Sequence, residues 1–167
     1  LLFDSVARFA RAQREIGLSA GEPPATRGYP PSVFALLPRL LERCGRTREG
    51  SITGFYTVLV DDDPTGDPIG EEMRALLDGH VMLSPTLAEA GHFPAIDVLA
   101  SRSRVMRQVT LPRARELADS ARTLLAKAQA VDVLLKIGEY KKGSDALTDR
   151  AIACRDKLAA FLRQDLS

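Results

Sequence analysis

Three side chains in this sequence have the type and the setting to work on a phosphate-bearing ligand. Asp4 stands at the C-terminal tip of a short apolar run, Leu1-Leu2-Phe3. A carboxylate at a strand tip can order Mg²⁺ and its water shell beside phosphates, the Walker B arrangement. Arg104 lies in Ser101-Arg102-Ser103-Arg104-Val105-Met106. Its guanidinium can reach a γ-phosphate across a subunit interface and stabilise charge in the transition state. Tyr29, between Gly28 and Pro30, is a planar ring in a constrained loop, suited to packing on a nucleobase. A fourth feature is the acidic turn from Asp61 to Pro68, which includes Asp63 and Asp67 and could grip a basic partner or a cation. Each has a plainer alternative. Asp4 could simply help Ser5 start a helix, Arg104 could be a solvated basic linker, Tyr29 a core plug and the acidic turn a solvated loop.

The elements that would position these groups follow from periodicity. Leu1 to Phe3 reads as the end of a buried strand, and Ser5 as the cap of a helix carrying Val6, Phe9, Ala10, Gln13 and Ile16 on one face, with Gly17 as its stop. After a Gly- and Pro-rich loop, Pro31 suits the first turn of a second helix. Val33, Leu36, Leu37, Leu40 and Leu41 form that helix's stripe. Ser51 to Val60 is apolar with little alternation, the pattern of a parallel strand covered on both faces. A short helix near Ile69 to Leu77 and a strand at His80 to Ser84 follow. Strands alternating with helices predict an α/β parallel sheet.

From Pro112 the strand signal is gone. Leu117, Ala121, Leu124, Leu125, Ala128, Val131 and Leu135 recur at helical spacing up to Gly138. A last helix runs from about Asp145 to Leu162, with Ile152, Leu158 and Phe161 facing in. The expected boundary, near Val109 to Pro112, separates an α/β part, residues 1–110, from a helical hairpin, residues 111–167.

The chain has 167 residues, 45% of them hydrophobic, and a net charge of +1, which suits one medium domain or two small ones. Basic and acidic residues are interspersed, so no stripe marks a nucleic-acid surface and no nucleic-acid partner is expected. Nothing approaches the length of a membrane helix. Cys44 and Cys154 have no metal-type spacing and read as free thiols. No G-x-x-x-x-G-K-[ST] occurs, so these residues hold no phosphate cradle. The apolar opening, without Met, leads to the expectation that a segment precedes Leu1.

Longer words around these residues resemble a known family. Residues Asp4 to Leu18 (DSVARFARAQREIGL) and Gly21 to Phe34 (GEPPATRGYPPSVF) are similar to the Walker B strand, its helix and the next segment of the flagellar and type III secretion export ATPases. The resemblance continues through Gly50-Ser51-Ile52-Thr53, Asp67-Pro68-Ile69 and Leu77-Asp78-Gly79-His80. His92 to Leu99 and the Ser-Arg-Val-Met after it resemble the arginine-finger region. Ile137-Gly138-Glu139-Tyr140 and Phe161-Leu162-Arg163-Gln164 resemble the helical C-terminal domain. Ala7, Pro85 and Arg102 depart from the usual Thr, Arg and small or apolar residue.

The resemblance implies the C-terminal part of a RecA-like P-loop NTPase sheet followed by a small all-α domain. It also implies a paralogue of the rotary ATP synthase catalytic subunit. By it, Asp4 is the Walker B carboxylate serving Mg²⁺ through water, Arg104 is the arginine finger, and Tyr29 packs on the adenine of ATP. Asp63 and Asp67 fall on a loop facing a central stalk. The implied assembly is a homohexamer in the cytoplasm, peripheral to the inner membrane. Its implied partners are a central stalk protein, a peripheral stator or regulator, chaperone–substrate complexes and a membrane export gate. Residues 137–143 read closer to the injectisome form than to the flagellar one. Two rivals are a fragment of a rotary ATP synthase catalytic subunit and a non-catalytic fragment that docks partners through its hairpin.

Overall fold

The computed structural model describes residues 1–60 and 66–163. The chain divides into two compact units, Leu1–Leu77 and Asp78–Ser167.

In the first unit, strand β1 (Leu2–Phe3) runs parallel to β4 (Phe55–Tyr56), with Leu2 opposite Phe55 and Phe3 opposite Tyr56. Side chains alternate across a strand, and this divides the pairs. Phe3 and Tyr56 turn to the core, their rings 5.9 Å apart. Leu2 and Phe55 take the other face and are 75% and 66% exposed. The run read as buried is therefore covered on one face only within this chain. The predicted strand over Ser51 to Val60 also breaks up. Ser51–Ile52 forms β3 and pairs antiparallel with β2 (Gly45–Arg46); only Phe55–Tyr56 joins β1. Gly54 marks the break. A Cβ there would stand 2.7 Å from the Tyr56 ring and 2.9 Å from Cys44 Sγ.

Helix α1 (Val6–Ser19) starts as predicted, with Ser5 Oγ accepting the Arg8 N–H at 3.4 Å. Gly17 is not its stop. It lies inside the helix, where a Cβ would come 2.8 Å from Pro30 Cγ, so glycine here permits a close approach of the returning chain. Because Gly17 takes the buried position in that turn, Ile16 is exposed rather than on the packed face. Helix α2 (Pro31–Leu41) buries Val33 and Leu37, and α3 (Pro68–Leu76) buries Ile69 and Met73. With Val6 and Ala10 of α1 these close the core, with Phe3, Phe9, Tyr29, Phe34 and Tyr56 packed around it.

In the second unit, β5 (Gly79–Leu83) pairs antiparallel with β6 (Ile96–Ser103), a strand not expected from the sequence; the parallel pair is β1–β4 of the first unit. Helix α4 (Pro85–Glu89) lies between them, its Ser84 cap accepting the Leu87 N–H at 3.3 Å. After α5 (Met106–Val109) come α6 (Pro112–Lys136) and α7 (Ala146–Leu162), which pack together. Gly138 does end α6, at φ +73°. Asp145 caps α7, accepting the Leu147 N–H at 3.1 Å. Leu124 and Val131 of α6 and Thr148 and Ala151 of α7 are buried, whereas Leu117 is exposed and Phe161 is 73% exposed. At about 100° per residue Phe161 falls roughly 80° from Ala151, on the flank away from Thr148. Its hydrophobicity does not bring it inward. Cys44 and Cys154 are both free thiols, and no described helix is long and apolar enough to cross a membrane.

Candidate functional site

Asp4 is seated where two local devices meet. It directly follows β1, and the next residue, Ser5, is the N-cap of α1, so its carboxylate sits at the strand tip beside a helix N-terminus. Thr57, the residue after β4, straps this turn in three ways. Its N–H donates to Phe3 O at 3.0 Å, its carbonyl accepts the Val6 N–H at 2.9 Å, and its hydroxyl donates to Asp4 Oδ1 at 2.5 Å. The Asp4–Ser5 peptide bond is cis. Asp4 is exposed, whereas Ser5 is buried and performs the helix cap. Asp4 is thus not needed to start α1, and its carboxylate faces outward, held at one oxygen. Thr57 went unnoticed in the sequence because its bond to Asp4 spans 53 residues.

Tyr29 leaves a tight turn. Arg27 (φ +50°) and Gly28 (φ +81°) occupy the left-handed region in succession, with the Tyr29 N–H donating to Thr26 O at 3.0 Å, the geometry of a type I′ turn. The half-buried Tyr29 ring meets Phe34 edge-on at 6.4 Å, and the Arg14 guanidinium stands 5.3 Å from its centroid. It packs against the first unit's core, which is the alternative noted from sequence. A base-stacking role is an additional demand on the same ring.

Arg104 follows the last residue of β6 and is exposed. Its backbone N–H donates to Asp78 O at 2.7 Å. The strand before it is held by Asp97, whose Oδ1 accepts the Leu99 and Ala100 N–H groups at 2.9 Å each. Ser101 Oγ donates to Asp97 O at 2.6 Å and accepts the Met82 N–H at 2.9 Å. Gly79 lets the strands meet at this end, since a Cβ there would stand 2.8 Å from Arg102 O. From α6, Arg122 Nη2 donates to Leu99 O at 3.1 Å and Ser101 O at 2.9 Å, a contact with no local signal in the sequence.

Asp67 is half-buried and caps α3, its Oδ1 accepting the Ile69 N–H at 3.0 Å. Asp63 lies outside the described residues. Asp4, Tyr29 and Asp67 belong to the first unit and Arg104 to the second.

No group of three or more His, Cys, Asp or Glu is placed to hold a metal among the described residues. A single exposed carboxylate with a hydroxyl beside it fits Mg²⁺, which keeps most of its waters and takes one or two protein carboxylates along with substrate phosphates.

Residues 1–103 match the model of the ATP synthase alpha/beta family, nucleotide-binding domain, and residues 110–167 match that of the T3SS EscN ATPase C-terminal domain. The chain is 60% identical over 164 residues to a type 3 secretion system ATPase of Sinorhizobium fredii, covering 98% of this chain and 36% of that protein. Among solved structures, the assembled ATPase EscN of the enteropathogenic E. coli type III secretion system matches with a TM-score of 0.95 and 48% identity. That match covers 99% of this chain and 40% of EscN. EscN in complex with its central stalk EscO matches with a TM-score of 0.89 and 47% identity, covering 99% and 39%. The chain therefore spans little more than a third of the length of the curated relative. By these matches the chain belongs to the ATP synthase alpha/beta family, and within it to the type III secretion and flagellar export ATPases.

Proposed function

We propose that this chain is the C-terminal part of an export ATPase that hydrolyses ATP at the interfaces of a homohexamer to unload and unfold secretion substrates. What carries this reading is the seat of Asp4: an exposed carboxylate at the tip of a strand in a parallel pair, held by Thr57. Asp4 orients water around Mg²⁺ on one subunit. Arg104, on the exposed end of β6, donates to γ-phosphate oxygens bound by the neighbouring subunit. Tyr29 lends a ring edge or face to the adenine. Bound Mg²⁺ neutralises phosphate charge. We assign residues 1–110 to the nucleotide-binding domain and 111–167 to the helical C-terminal domain, a division the two family matches support. The assembly works in the cytoplasm against the inner membrane, with a stator or regulator, chaperone–substrate complexes and the export gate as partners.

The test is complementation between two inactive proteins. An Arg104→Ala variant of the whole ATPase is mixed with a variant lacking the phosphate-binding lysine. Mixed rings contain interfaces with an intact cradle facing an intact finger, so phosphate release partly returns. Rings shown to mix without recovery overturn the assignment of Arg104 across the interface.

We also assign Asp63 and Asp67 to a surface that meets a basic central stalk. EscN, similar to this chain, is solved in complex with its central stalk EscO. Because Asp67 caps α3, replacing it with Ala would cost about 1 kcal/mol of local stability and confuse the result. Asn keeps the cap and removes the charge. The Asp63→Asn, Asp67→Asn double variant should bind the stalk protein several-fold more weakly at low salt, and the difference should shrink as salt rises. Equal affinity at low ionic strength rejects the surface.

A further inference from the structure

We propose that Arg122 is a positioning residue for Arg104, coupling the helical domain to the catalytic interface; this rests on the reading of Arg104 as the finger. Sheet β5–β6 has two strands among the described residues, so one edge of β6 lacks a strand neighbour there. Carbonyls two residues apart point to the same edge of a strand. Leu99 O and Ser101 O are such a pair, and Arg122 Nη2 donates to both, at 3.1 and 2.9 Å. A planar guanidinium with several donors fits two carbonyls in a row and stays charged at every working pH. Arg122 thus does for this edge what a third strand would do, and does it three residues before Arg104.

Beyond Ser101 the chain has little freedom before Arg104. The Arg104 N–H is tied to Asp78 O at 2.7 Å, and Ser101 Oγ to Asp97 O at 2.6 Å. These bonds fix the segment from within β5, β6 and the turn leading into β5; Arg122 fixes it from α6. The helix bearing Arg122 lies in the segment matched by the C-terminal domain model, and β6 in the segment matched by the nucleotide-binding model. The two nonetheless share one compact unit. Movement of α6, as when a partner loads the helical domain, therefore shifts the carbonyls of the strand that ends in the finger. A finger acts by geometry: its donors must meet the oxygens on which charge develops, and small displacements are costly.

The test compares Arg122→Ala, Arg122→Lys, Arg104→Ala and the Arg122→Ala, Arg104→Ala double variant of the whole ATPase. Arg122→Ala should lower kcat about tenfold, with KM for ATP and nucleotide affinity unchanged. Arg122→Lys, which retains an ammonium donor, should recover part of the loss. In single-turnover measurements the double variant should be no slower than Arg104→Ala alone, because residues acting through one group are not additive. Losses that multiply instead mean that Arg122 serves stability only, and overturn the inference. So does wild-type kcat in Arg122→Ala when Arg104→Ala is inactive, and that outcome leaves the finger standing. Full activity of Arg104→Ala overturns the finger and this inference with it. Should Arg122→Ala fail to fold, Arg122→Gln, which keeps a single neutral amide NH2 in place of the guanidinium, takes its place under the same criteria.

Discussion

Arg104→Ala is expected to lower kcat of the whole ATPase by about 10³- to 10⁵-fold while leaving ATP affinity within a few-fold of wild type. The asymmetry follows from where a finger acts. The charge on the transferring phosphoryl group is spread over its oxygens most fully in the transition state, so a guanidinium aimed there stabilises that state beyond the ground state. In P-loop ATPases generally, the phosphate-binding loop and its Lys, rather than the finger, cradle the bound nucleotide. Arg104 is exposed at the end of β6 while its backbone is tied to Asp78, so the truncation removes a side chain without opening a core. Thermal stability should hardly move. Lys should rescue poorly, because a point charge cannot match two phosphate oxygens as a planar fork does. Steady-state phosphate release with a fluorescent-nucleotide titration measures both halves. A rise in KM with kcat unchanged would mean uniform binding instead of finger chemistry.

What the sequence disclosed and what it hid divide along contact range. Ser5 as a cap, Pro31 at a helix start, Gly138 at a helix end and Asp145 as a cap all follow from chemistry within a few residues of the position itself. Gly17 looks identical to Gly138 by that standard, yet its role is set by Pro30 across a loop. Strand β6 was missed because Asp97, Ser101 and Arg102 interrupt its apolar pattern. Those polar groups are used inside the strand, where Asp97 and Ser101 satisfy backbone N–H and carbonyl groups. Asp67 read as a stalk contact, and its local duty as the cap of α3 was overlooked. In the candidate site the groups proposed to act directly, Asp4, Arg104 and Tyr29, stand out in the sequence by type and by place in the chain. Thr57 and Arg122 were not, because they reach their targets across 53 and 21 residues. A hydroxyl or a guanidinium in isolation gives no sign of the carbonyl or carboxylate it will meet.

Asp4→Asn is the second change with a large expected effect, and the structure separates its two possible causes. If Asp4 served only the turn, the substitution would act on folding. The contacts that build the turn argue against that. Ser5 Oγ caps α1, and the Thr57 backbone binds Phe3 and Val6 without help from the Asp4 side chain. Asn keeps an Oδ1 to accept the Thr57 hydroxyl, so the strap survives and the melting temperature should stay within a degree or two of wild type. What disappears is the negative charge. A carboxylate serving Mg²⁺ through water is an outer-sphere partner, and losing one typically costs about 10- to 100-fold in metal affinity or activity. The expectation for the whole ATPase is a loss near the upper end, about 100-fold at limiting Mg²⁺. Raising Mg²⁺ should recover part of the rate, because the amide still orients a water but attracts the cation less. The measurement is turnover against free Mg²⁺ at saturating ATP, paired with thermal melts of both proteins. An unchanged Mg²⁺ requirement with a lowered melting temperature would make Asp4 a residue of the turn and remove it from the nucleotide site.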